Sequence, residues 1–392
     1  MSRIIYMDNA ATTALKPQVF EKMKPYFMEN YANPSAVYGF AQEAKAAVED
    51  ARDSIAGLIG ARANEIYFTG GGSESDNWAI KAAAIALKEK GNHIITSKIE
   101  HHAILNTCQF LEKNGFEVTY LDVDSDGMID IEQLKESIRP TTILISIMYA
   151  NNEIGTIEPV MQIGQIAREY NIIFHTDAVQ AFAHIPIDVN KCNIDMMSVS
   201  GHKFHGPKGA GFLYIRNSVK IGALIHGGAQ ERARRAGTHN VPGIVGMAQA
   251  AMLAHKDMQK NTENEIRLRD YFISRIENEI DYVKLNGHRN KRLPNNINFC
   301  IKFVEGESLL IMLDQKGICA SSGSACTSGS LDPSHVLTAI GLTDEDAHTS
   351  VRLSISEDTT KEEIDIVVEE IKKVTKRLRS MSPLYEEYVN NN

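Results

Sequence analysis

A chain of 392 residues is longer than one hydrophobic core usually serves, so a large and a smaller lobe with a cleft between them are expected. Its 43% hydrophobic and 23% charged residues suit a folded globular protein, and a net charge of -9 argues against nucleic acid or an anionic membrane surface as the main partner, since both need a dominant positive field. Five cysteines without a C-x2-C pair disfavour a disulfide framework, and no apolar run approaches the roughly 18 residues of a membrane span, so a cytoplasmic location is expected.

In chain order, residues 17–60 read as helical with a break at Asn33-Pro34-Ser35. Residues 65–215 then alternate short apolar runs (EIYFT, HIITS, EVTYLDV, TILISIMYA, IIFHTDA, MMSVS, GFLYI) with amphipathic stretches. That rhythm predicts a mainly parallel sheet buried on both faces, with its ligand at the carboxyl ends of the strands. The first run leads into Thr69-Gly70-Gly71-Gly72-Ser73-Glu74. This glycine-rich helix start offers bare N–H groups to a phosphate, although by itself it could be only a turn. After HIITS comes Glu100-His101-His102. Neighbouring side chains on a strand end face opposite ways, so one histidine faces the site, and His101 is taken as a stacking ring and proton carrier. A metal site is disfavoured because no second ligand pair lies at suitable spacing. Asp122 to Ile129 imitates the start of an EF-hand loop, but Gln133 stands where calcium needs a bidentate Glu, so this is an acidic turn.

Asp177, ending IIFHTDA, is costly to ionise in a buried strand unless it meets a cation such as a protonated pyridine nitrogen; the alternative is a helix cap. Gln180 lies three residues on. Ser200-Gly201-His202-Lys203 puts a lysine in a tight turn at a strand end, suited to a Schiff base or merely structural. Ser200 and His202 are further phosphate donors. Arg232 to Gly237 is a basic loop ending at Thr238, and residues 241–280 read as one long helix or two. NNINFCIKF, GESLLIMLDQKG, TSVRLSIS and KEEIDIVVEEIKKVTKRLRSM form a separate α+β pattern. Cys326 sits in SSGSACTSGS, a composition that packs no core and leaves a thiol reachable.

The order and spacing of these segments resemble the cysteine desulfurases, the NifS/IscS group of fold-type I pyridoxal-phosphate enzymes, over almost the whole chain. Asn151-Asn152-Glu153-Ile154-Gly155, Ser200-Gly201-His202-Lys203 and Ser321 to Ser328 are the most specific stretches. The resemblance implies an α/β fold: a large domain of mainly parallel sheet covered by helices (residues 14–255), and a smaller α+β domain (1–13 and 256–392) carrying the cysteine loop. It implies that Lys203 is the Schiff-base lysine, that Asp177 holds the pyridine nitrogen and that His101 stacks on the ring. Gln180 and Asn152 would contact the ring oxygen side. Gly72, Ser73, Ser200 and His202 would take the phosphate of pyridoxal 5'-phosphate, with Thr238 from the second subunit of a homodimer. Arg352 and Asn33 would grip the L-cysteine carboxylate, and Cys326 would carry the sulfur as a persulfide to a sulfur-acceptor protein in iron-sulfur assembly or tRNA thiolation. The phosphate turn departs from the group in reading Gly-Gly-Gly-Ser rather than Ser-Gly-Ala-Thr. Two alternatives stand beside this reading: a selenocysteine lyase or other lyase on the same fold, and an idle sulfur-carrier subunit, against which the set Lys203, Asp177, His101 and Cys326 speaks.

Overall fold

The computed structural model describes residues 4–322 and 332–391; Cys326 lies outside them. The strands, in chain order, are β1 (Ile5–Tyr6), β2 (Ile66–Thr69), β3 (His93–Ser97), β4 (Glu117–Leu121), β5 (Thr142–Ser146), β6 (Ile173–Asp177), β7 (Met196–Ser200), β8 (Gly211–Ile215), β9 (Val283–Leu285), β10 (Asn296–Ile301), β11 (Ile318–Cys319) and β12 (Ser350–Ser354).

A seven-stranded sheet runs in the order β2-β8-β7-β6-β5-β3-β4. Pairing is parallel from β7 through β4, while β8 lies antiparallel to both β7 and β2. The run GFLYI is therefore the exception to an otherwise parallel sheet. Strand direction leaves no mark in such a run, because a strand buried on both faces is apolar whichever way it points. Alternate residues feed two cores: Phe212 and Tyr214 enter one, Leu213 and Ile215 the other.

A second sheet, β12-β10-β9, is antiparallel, and β1 pairs in parallel with β11. Its core joins Ile5 and Met7 to Phe299, Val351, Leu353 and the apolar face of the helix Lys361–Arg379. That helix starts with a capping box, Thr360 taking the N–H of Glu363 and Glu363 that of Thr360. The stretch after Asn240 is one helix, Val241–Glu279, of 39 residues. Val241 to Ala251 pack in the core of the large sheet, and Leu268 to Ile276 in that of the small one. Between Pro17 and Gly60 the chain forms helices Pro17–Met23, Pro25–Met28 and Phe40–Leu58, with the expected break between the last two. Among the described residues no helix is long and apolar enough to cross a membrane.

Candidate active site

The carboxyl ends of β2, β3, β5, β6 and β7 converge on one cavity of about 300 Å³. Lys203 ends the short turn Gly201–Lys203 directly after β7, and its Nζ donates to the carbonyls of Ala10 at 2.6 Å and Ala11 at 2.9 Å. Asp177 closes β6, and its Oδ1 accepts from the Val179 N–H at 2.9 Å, so the cap-like turn and the cavity-facing carboxyl are the same residue. Burial pushes its pKa up to about 6, against the opposing pull of the Val179 N–H and the Lys203 charge.

Beside it stands a residue that reading the sequence missed. Asp76, 1% exposed on the helix Gly72–Ala86, lines the same cavity, and its Oδ1 has no hydrogen-bond partner among the described residues. Burial first, and repulsion from Asp177 second, raise its pKa well above the ordinary carboxylate value. His175 stands 3.7 Å from that oxygen and is kept neutral by burial, its ring nitrogens shared between the hydroxyls of Ser146 and Ser198 at 2.9 Å each. An acid four residues into an amphipathic helix looks like a solvated face in sequence; only the helix's docking across β6 and β7 turns it inward.

His101 is not on a strand end. β3 stops at Ser97, and His101 caps the helix His102–Glu112, its Nδ1 accepting from the Ala103 N–H at 3.1 Å. The ring still lines the cavity, while His102 turns away to lie against His335 with centroids 4.7 Å apart. Burial, then the charge of Lys203, lower the His101 pKa to about 4, so the ring is neutral at pH 7 with its proton on Nε2.

At the other end, Gly72, Ser73, Ser200 and His202 surround the start of the helix Gly72–Ala86. A Cβ on Gly72 would come within 2.7 Å of Val179 Cγ2, so a side chain there would close the cradle. His202 is lowered to about 4 by burial and by Lys203, and its Nδ1 meets Thr12 Oγ1 at 3.1 Å. Gln180 donates to the Ala10 carbonyl at 3.0 Å, and Asn152 lines the cavity. Arg352, on β12 of the small sheet, reaches in with Nη1 on the Asn152 carbonyl at 3.1 Å and Nη2 on Asp8 at 3.0 Å, while its Nε has no partner among the described residues.

One expected residue is not brought to this cavity: Asn33 lies in an exposed turn, accepting from the Ser35 N–H at 3.0 Å. Thr238, expected to serve the second subunit's site, is exposed and outside the lining of its own. Among the described residues no group of three or more His, Cys, Asp or Glu side chains is placed to hold a metal.

The cavity suits a small anionic heteroaromatic: a buried acid short of donors faces one end, and the open N–H groups of a helix start face the other. A profile of the family "Aminotransferase class-V" matches residues 5–367, and the chain belongs to that family. A protein of Clostridium botulinum named "Cysteine desulfurase IscS" is 56% identical over 393 aligned positions, covering 100% of this chain and 99% of the relative. Among solved structures, one titled "NIFS-LIKE PROTEIN" is 37% identical with a TM-score of 0.90, covering 95% of this chain and 100% of its own. Another, "SspA in complex with cysteine", is 41% identical with a TM-score of 0.81, covering 91% of this chain and 99% of its own. Within the class-V family this chain thus stands among the cysteine desulfurases.

Proposed function

We propose that this enzyme takes sulfur from L-cysteine, leaving L-alanine, and holds it as a persulfide on Cys326 for a sulfur-acceptor protein. The observation that carries the reading is the convergence of Lys203, Asp177 and Arg352 on one cavity of about 300 Å³ at the strand ends. The residues there fit pyridoxal 5'-phosphate, which supplies an electron sink to the substrate when bound. Lys203 would offer its amine to the aldehyde, giving up the carbonyls of Ala10 and Ala11. Asp177 would become a carboxylate against the ring nitrogen, its burial then offset by an opposite charge. Gln180 and Asn152 would meet the ring oxygen side, and Gly72, Ser73, Ser200 and His202 the phosphate. Neutral His101 would lie on the ring, with Nε2–H ready to give a proton.

Arg352 would grip the substrate carboxylate through both oxygens, exchanging its contact with Asp8 for the substrate. The thiolate of Cys326 then attacks the substrate sulfur: an S–S bond forms, the C–S bond breaks, and the carbon takes a proton, so cysteine and enzyme thiol become alanine and enzyme persulfide. A homodimer fits Thr238, which is exposed on its own chain, and fits the exposed Phe27, Met28, Tyr31, Val37 and Tyr38, which a second copy would cover.

The test is a visible spectrum of the protein with pyridoxal phosphate before and after L-cysteine, followed by peptide mass mapping. A spectral change, alanine release and one extra sulfur on Cys326 are expected. Sulfide and alanine released at the full rate by Cys326→Ala would instead indicate a lyase, and the same assay with selenocysteine separates a selenocysteine lyase.

A further inference from the structure

The hollow at the phosphate end is lined by Thr12, Gly71, Ser73, His202 and Lys208, and also by Glu74. A carboxylate in the first turn of the helix Gly72–Ala86 competes with a phosphate for the same positive helix end. Glu74 already takes a donor of the glycine turn, since its Oε2 accepts from the Gly70 N–H at 2.8 Å. It does not stand alone. Arg235 closes on it with both arms, Nε to Oε1 at 2.8 Å and Nη2 to Oε2 at 3.0 Å.

The segment that brings Arg235 there is held with unusual firmness. Glu231, Arg232 and Ala233 have φ of 46°, 59° and 61°, three successive non-glycine residues in the left-handed region. Such a run persists only where its surroundings over-determine it, and it clusters at functional sites. The surroundings are visible. Buried Glu231 accepts from Arg52 Nη1 at 2.7 Å and Nη2 at 2.8 Å, from the Phe68 N–H at 2.9 Å and from His239 Nε2 at 2.8 Å. Arg232 ties the same segment to the Ile66 carbonyl at 2.8 Å. Both Ile66 and Phe68 belong to β2, the strand that runs into the glycine turn, so clamp and cradle share one rigid element.

We propose that Arg235 is a positioning residue for the phosphate: by pairing with Glu74 it cancels the carboxylate that, among the described residues, lines the phosphate hollow, and the Glu231–Arg52–His239 clamp holds it in place. This rests on reading the glycine turn as the phosphate cradle. The experiment titrates the full-length apo protein with pyridoxal phosphate and, separately, with pyridoxal, which lacks the phosphate. Arg235→Ala should raise the Kd for pyridoxal phosphate on the order of tenfold at low salt, less at high salt, and leave that for pyridoxal within about twofold. Adding Glu74→Gln to Arg235→Ala should restore pyridoxal-phosphate binding to within about threefold of wild type, because the repelling charge is gone. Equal loss for both ligands, no loss, or no rescue by Glu74→Gln would overturn the proposal. Glu74→Gln alone keeps the test open if Arg235→Ala folds poorly: it should not weaken pyridoxal-phosphate binding, and a tenfold loss would count against the idea. A wild type that binds pyridoxal phosphate no better than pyridoxal would instead remove the phosphate cradle itself.

Discussion

Asp177 and Glu231 are both buried carboxyls, 6% and 4% exposed, yet they differ in what surrounds them. Glu231 takes donors from Arg52, His239 and the Phe68 backbone, and although burial pushes its pKa up, those donors bring it down to about 2. Asp177 takes a backbone N–H, has a second acid for a neighbour, and stands at about 6. A buried charge with its partners in place is finished architecture; one left short of them marks where something else must bind. The clamp and the cavity should therefore respond to change in opposite ways, the cavity losing chemistry and the clamp losing stability.

The largest effect is expected at Lys203. Lys203→Ala should cut alanine formation from cysteine by at least about a thousandfold while moving the thermal midpoint of the apo protein by no more than about 2 °C. A large fall in that midpoint would mean the cavity is also structural, and the comparison would break. In the clamp, Arg52→Ala leaves Glu231 buried without its main partner and should cost about 3–5 kcal/mol in urea unfolding; replacing both by Met should recover part of it.

The two acids also predict opposite pH dependence. Asp177, raised from 3.8 to about 6, contributes stability that is complete below pH 3.8 and is lost as pH rises through 6. Glu231, lowered from 4.5 to about 2, contributes above pH 4.5 and loses it as pH falls toward 2. The apo protein should thus gain up to roughly 2–3 kcal/mol from Asp177 between pH 7 and pH 4, and Asp177→Asn should flatten that rise in denaturant midpoints across pH. The smallest change should come from Asp76→Asn. Burial raises its pKa and so favours the neutral acid, and a neutral amide of the same shape should alter stability by less than about 1 kcal/mol in urea unfolding.

Much of this was legible before any coordinates. Strands buried on both faces announce themselves as apolar runs, and the residues ending them (Asp177, Ser200 and Lys203 after the turn) line the cavity because a parallel sheet gathers its strand ends on one edge. Alternation on a strand end points to His101, yet it reaches the cavity as a helix cap after a three-residue turn, an outcome the strand argument does not distinguish. Arg352 enters the sequence reading only through the family resemblance; its partner Asp8, 344 residues away, does not enter it, since nothing local couples them. Asn33 carries no pattern that fixes which surface it meets, and it stands outside the cavity. The left-handed run at Glu231 to Ala233 also left no trace, because it is imposed by the clamp rather than preferred by those residues.

The helix Val241–Glu279 has a mechanical consequence. At 1.5 Å per residue its 39 residues make a rod of about 58 Å, with one end as a wall of the large-sheet core and the other as a wall of the small-sheet core. Its middle, from Lys256 to Glu263, is polar apart from Met258, and none of its residues belongs to either core. Melting either core strips a wall from the rod, and an unsupported rod weakens the other core in turn. Heat should therefore take both cores down in a single calorimetric peak, and a glycine pair placed at Gln259 and Lys260 should split that peak in two by breaking the rod where no core holds it.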